Sequence, residues 1–226
     1  ATVMSDREAS DAVKRFFAPV VDTENRRLED ARLTLGFVYE LLVRNDIDFL
    51  VIKTYKEFPF STEDIDVLVR RADFSRAVTA AYQGGGRQTL SIRALQRLGI
   101  GSEFTFRFPD IPLKVDLYRE LPWNGVSCMD PDFPFEDPRG VDLFGFRSGV
   151  PSKEADLLMT LASSIFKDRM ITLMDLIYTM SLWRGQVCQD RVFSEVRRYG
   201  WARTFRRCIQ LLEEMEECVV QGRFQN

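Results

Sequence analysis

The chain contains no histidine, which removes Ser-His and Cys-His nucleophilic triads and leaves acid-base work to carboxylates, lysines and tyrosines. Cysteine is scarce too. Cys128, Cys188, Cys208 and Cys218 form no CxxC pair, so the usual zinc frameworks are excluded and free thiols are expected. No apolar run approaches the roughly eighteen residues of a membrane span. The opening segment, Ala1 to Asp11, is charged and unlike a secretory leader. These absences lead us to expect a soluble, cytoplasmic protein with no membrane partner. There is no internal repeat and no low-complexity tract. A net charge of −3 argues against a protein that coats nucleic acid.

What is present is a chain of 226 residues, 45% apolar, enough to bury a sizeable core. Ser5 is placed to cap a first helix through about Phe17, which Pro19 should close. A stronger helix is predicted over residues 25–44, where Leu28, Ala31, Leu35, Val38 and Leu42 recur at helical spacing. The run Asp48 to Lys53 is short, apolar and β-branched, as in a strand buried on both faces. A loop follows, then a strand over 65–70, and then a helix over 72–82 that ends in Gly84-Gly85-Gly86. Residues 103–108 alternate cleanly, and Pro109 to Pro112 turns them into 113–118, which predicts an antiparallel hairpin. Residues 88–98 suit strand and helix equally.

The fold class expected is α/β (α+β), a mixed sheet with flanking helices followed by a C-terminal helical bundle. Residues 1–121 would form the α/β core with its N-terminal helices. Residues 122–150, rich in Pro, Gly and Asp, read as a connector with one short strand at 141–146. Residues 151–226 read as the helical region, with Ser152 as its first cap and helices over about 169–184, 188–198 and 201–221.

The informative string is Ser61-Thr62-Glu63-Asp64-Ile65-Asp66-Val67-Leu68-Val69. Carboxylates two apart on a strand share one face, while Ile65 and Val67 point into the core. Held side by side, the two acids repel unless a cation joins them or one takes a proton, so a Mg²⁺ site is a natural resolution. A third acid, Asp116, lies mid-strand between Val115 and Leu117, where an unpartnered carboxylate would be costly to bury.

The joint order of elements is helix, apolar strand, loop, strand with Asp-Ile-Asp, helix, and a later strand with Val-Asp-Leu. It resembles the nucleotidyltransferase superfamily, the polymerase-beta-like fold, over about residues 26–120. Val150 to Leu158, through Arg169 to Trp183, also looks like the helical tail of an uncharacterised nucleotidyltransferase group. The resemblance implies that Asp64, Asp66 and Asp116 bind Mg²⁺ (or Mn²⁺) and act as the catalytic residues. NMP would pass from an NTP to a hydroxyl acceptor on a small molecule, a protein or an RNA end, with release of pyrophosphate. The superfamily usually carries Gly-Gly or Gly-Ser after its first strand; this chain has Lys53-Thr54. That departure leaves open a catalytically silent member that binds nucleotide or a protein partner. Lys53, Thr54, Lys56 and Lys114 are the nucleotide-contact candidates, and Lys114 and Tyr118 share the face of Asp116 by strand alternation.

Other features read as structural. The triple glycine follows a helix and does not open one. Asp175, a lone acid on an apolar helix, invites a partner such as Arg169 or a backbone amide. Phe104, Phe106 and Phe108 suit the core face of the hairpin better than a base-stacking platform. The run from Arg191 to Arg207 reads as a solvated basic face, with an RNA or phosphate contact as the alternative. The amphipathic last helix can serve packing or a homodimer.

Overall fold

The structure is a computed structural model, and it describes residues 6–55, 62–88, 103–123, 126–185 and 187–222. Five strands form one sheet: β1 (Phe49–Ile52), β2 (Asp64–Val69), β3 (Arg87–Gln88), β4 (Glu103–Arg107) and β5 (Lys114–Tyr118), in the order β1-β2-β5-β4-β3. β2 and β5 are parallel, and every other pairing is antiparallel. A parallel pair needs a long crossover. Here α2 (Phe74–Gln83) and the β3-β4 excursion lie between the two strands in the chain.

Strand parity divides the core in two. Val51, Ile65, Val67, Val69, Phe106, Val115 and Leu117 face Ala31, Leu35, Val38 and Leu42 of α1 (Asp6–Arg44) and Ala77, Ala80 and Ala81 of α2. Their alternate neighbours Leu50, Ile52, Leu68 and Tyr118 face the C-terminal helices through residues such as Leu157, Leu158, Leu161 and Phe205. The sheet is therefore the middle of three layers, and β1 is buried on both faces, as its composition predicts. Phe106 and Phe108 lie in the α1 and α2 layer, with Phe108 against Phe37 and Phe106 against Tyr82, so the hairpin aromatics serve the core.

Two readings are corrected by the structure. Pro19 does not divide the N-terminal helices; α1 runs unbroken through it. Proline removes one amide donor, but this part of α1 is exposed to water at Phe16 to Val21, and the Thr23 hydroxyl donates to Pro19 O at 2.8 Å. The stretch 122–150 is also more than a connector. It holds two hairpins, β6 (Pro122–Trp123) with β7 (Val126–Ser127), and β8 (Arg139–Leu143) with β9 (Phe146–Val150). The single strand expected at 141–146 runs instead through the tight turn at Phe144 and Gly145, both with positive φ (+55° and +86°). β9 lies close on β1, where a Cβ at Gly149 would stand 3.2 Å from Leu50. Of the ambiguous segment 88–98, Gln88 ends β3 and the rest lies outside the described residues.

The helical region follows the hydrophobic pattern closely: α3 (Lys153–Ala162), α4 (Leu173–Gly185), α5 (Gln189–Arg198) and α6 (Ala202–Gln221). Ser152 Oγ accepts from Ala155 N at 3.2 Å, the expected N-cap. α4 starts later than its apolar residues suggest, because a π-helical turn, Ser163–Asp168, extends α3 and Arg169 then takes a left-handed conformation. Asp175 is a structural cap: it accepts from the Thr172 amide and hydroxyl, and Thr172 accepts from the Asp175 amide. No helix among the described residues is long and apolar enough to cross a membrane. All four cysteines are free thiols, and burial pushes Cys128 and Cys208 up to about 11.

Candidate active site

The sheet register sets the site. Asp66 of β2 stands opposite Asp116 of β5, and Asp64 opposite Lys114, all on the face that the C-terminal helices cover further along. That face is graded: Asp64 and Lys114 come first, then the row Ile52, Asp66, Asp116 and Thr105, then the row Leu50, Leu68, Tyr118 and Glu103. Charge therefore collects at one end of the strands, and packing begins one row later. Strand alternation delivers the acids to one face because Ile65, Val67, Val115 and Leu117 are claimed by the opposite core.

Asp66 and Asp116 are buried, at 5% and 7% exposure. Burial, opposed in part by the Thr105 hydroxyl and reinforced by Glu103, Asp66 and Asp64, pushes the Asp116 carboxyl up to about 6. Among the described residues Asp116 Oδ1 has no hydrogen-bond partner. Asp64 is raised too, first by burial and then by Asp66, against the pull of Lys53, Lys114 and Lys167. Burial likewise raises the Tyr118 phenol, with Asp66 next in effect.

Lys53 supplies the positive charge. Its Nζ donates to Asp66 Oδ1 at 3.0 Å and lies 4.9 Å from the centre of the Tyr118 ring. Thr54, expected to offer a hydroxyl to phosphate, is buried and turns that hydroxyl onto Ile52 O at 3.2 Å. Lys56 lies outside the described residues. Among the described residues no group of three His, Cys, Asp or Glu side chains stands ready to hold a metal ion. The donor set nevertheless suits a hard divalent cation, being all carboxylate oxygen with one buried oxygen unpartnered.

A cavity of about 180 Å³ adjoins Lys53 and is lined also by Tyr55, Asp156, Thr160, Ser163, Asp168 and Asp175. Sequence reasoning missed this wall. Asp156 is buried, accepts from Arg139 Nη2 at 3.1 Å and from the Tyr178 hydroxyl, and lines the cavity together with Tyr55. In the sequence Asp156 is one acid in the first turn of a helix, where acids are ordinary. Only its meeting with Arg139 and Tyr178 marks it out. A larger groove of about 750 Å³, between Arg169 and α6, includes none of the three aspartates. The basic run is largely committed to structure, with Arg191 on Glu136, Arg198 on Asp130, and Arg197 and Arg206 over the Phe193 ring.

A mixed sheet that carries Asp-Ile-Asp on one strand and a third aspartate on its parallel neighbour, with α1 and α2 behind it, has the nucleotidyltransferase fold. Among solved structures the chain is similar to that of the antibiotic-resistance factor ANT(2'')-Ia, at 10% identity over 83% of this chain and 97% of that one, with a TM-score of 0.50. It is similar also to lincosamide antibiotic adenylyltransferase LnuA in its lincomycin-bound crystal structure, at 14% identity over 67% of this chain and 95% of that one, with a TM-score of 0.44. No protein-family model matches the sequence, and no curated protein matches it.

Proposed function

We propose that the chain is a divalent-metal-dependent nucleotidyltransferase that moves NMP from an NTP to a hydroxyl acceptor and releases pyrophosphate. The observation that carries this reading is the in-register pair Asp66 and Asp116 with Asp64 beside them, on one face of a nucleotidyltransferase-fold sheet. Asp64, Asp66 and Asp116 would hold Mg²⁺ or Mn²⁺ once their side chains draw together. When bound, such a cation neutralises charge on the phosphates and makes the acceptor hydroxyl more acidic. Asp116 is also the candidate to take the proton from that hydroxyl, a task no histidine can perform here. Lys114, opposite Asp64, is placed to meet phosphate as a point charge. The cavity beyond Lys53 is the place for the acceptor, and its volume of about 180 Å³ suits a small group or the reacting end of something larger.

One observation favours a second reading. With Lys53 bonded to Asp66, the chain would be a silent member of the fold that binds nucleotide or a protein partner without turnover. Pyrophosphate release separates the two readings. The wild-type chain should form pyrophosphate from one of the four common NTPs in the presence of Mg²⁺ or Mn²⁺, and Asp66→Asn and Asp116→Asn should reduce the rate at least about a thousandfold. Full activity in Asp66→Asn would overturn the enzymatic reading. Binding of an NTP with no release would establish the silent one.

A further inference from the structure

Lys53 is the central residue of a tight three-residue turn. Thr54 N donates to Ile52 O at 2.8 Å, and Lys53 itself has φ +65°, a region that suits glycine. A long cationic side chain is held there against that preference, and strain of this kind persists where surrounding contacts over-determine it. The contacts are specific: Nζ reaches Asp66 Oδ1 at 3.0 Å and lies over the face of Tyr118. Asp66 is withdrawn from water, so its charge needs a partner within the protein. Asp116, directly across in the same row, has a buried oxygen with no hydrogen-bond partner among the described residues. Two identical acids thus differ in their state, one neutralised by an ammonium and one in want of a cation.

We propose that Lys53 is a resident counter-cation that holds Asp66 against metal until a polyphosphate takes over its ammonium, so that divalent metal and triphosphate bind as a coupled pair. This inference rests on the nucleotidyl-transfer reading. A metal ion arriving alone must displace an ammonium already bonded to Asp66, or sit beside that positive charge on Asp64 and Asp116 only; both weaken it. A triphosphate offers Lys53 several anionic oxygens in exchange, and release of Asp66 completes the oxygen set. The side chain has somewhere to turn, since Lys53 also lines the cavity shared with Tyr55 and Ser163. By linkage the coupling is reciprocal: metal must strengthen triphosphate binding by the factor by which triphosphate strengthens metal binding.

The test is Mn²⁺ binding to the whole metal-free chain, followed by water-proton relaxation, in wild type, Lys53→Met and Lys53→Gly. Methionine keeps the bulk and the backbone strain, and glycine relieves the positive φ, so charge and strain separate. Both variants should bind Mn²⁺ alone roughly ten- to a hundredfold more tightly than wild type. The melting-temperature gain from adding ATP to the Mn²⁺-loaded protein should shrink in both. Equal or weaker Mn²⁺ affinity in both variants overturns the inference and leaves the nucleotidyl-transfer reading standing. Failure of wild type and both variants to take up Mn²⁺, with ATP or without it, overturns that reading and the inference together.

Discussion

Asp66 and Asp116 face each other in register across the parallel β2-β5 pair, yet among the described residues only Asp66 carries an ammonium on its carboxylate. The sheet places them as equivalents, and their other neighbours make them different. Lys53 comes from the end of the neighbouring strand β1, while Asp116 is flanked by Thr105 and, one row on, Glu103. One row of the sheet therefore holds an acid bonded to an ammonium beside one whose carboxyl is pushed up by burial.

A pH dependence of stability follows from Asp116. Its folded value is raised to about 6 from 3.8, so between those values the folded state binds more protons than the unfolded state. Stability is then greatest below the unfolded value and falls as pH rises toward the folded one, levelling above it. The expected loss in the metal-free protein is about 2 to 3 kcal/mol, at roughly 1.4 kcal/mol per unit. Urea unfolding at a series of pH values, wild type minus Asp116→Asn, should show that decline. A flat difference would remove Asp116 as its cause.

Arg139 and Tyr178 both donate to Asp156, which is 3% exposed. Replacing Arg139 with Met leaves a buried carboxylate short of its positive partner, and about 3 kcal/mol of stability should be lost. Adding Asp156→Asn removes the stranded charge and should recover part of that loss. A double-mutant cycle from denaturant titrations measures it, and strict additivity would mean that the pair does not interact.

Gly86 is tightly enclosed behind the sheet. A Cβ there would stand 2.7 Å from Ala81 O and 2.9 Å from the Phe108 ring. Gly86→Ala should therefore cost about 1 to 3 kcal/mol by overpacking, read as a lowered melting temperature. The exposed Gly185, around which a Cβ meets nothing within 4 Å among the described residues, provides the contrast, and its alanine variant should melt close to wild type.

The hydroxyl of Ser152 satisfies the Ala155 amide at the start of α3, the helix that carries Asp156 into the cavity wall. Ser152→Ala should destabilise the protein by about 1 kcal/mol. Ser152→Asp should restore most of that, since an acid can accept the same bond at the positive end of the helix. Thermal melts of the two variants decide the point.

The sequence by itself determined the alternation that puts Asp64, Asp66 and Asp116 on one face, the hairpin that carries Asp116, and the C-terminal helices. These are local matters: strand parity and helical periodicity depend on neighbours two to four residues apart, and apolar residues report them directly. Pro19 misled for the same reason. Its local preference is to end a helix, and an exposed helix that bears the loss of one bond carries no opposing mark in the sequence. The hairpin β8-β9 was hidden because its value lies in covering β1, a contact about a hundred residues away in the chain. Only the tertiary structure decided that Lys53 would lie on Asp66, and that Asp156 would meet Arg139 and Tyr178. A charge pair is made by whatever side chains the fold brings within reach, and long-range proximity leaves no period to read.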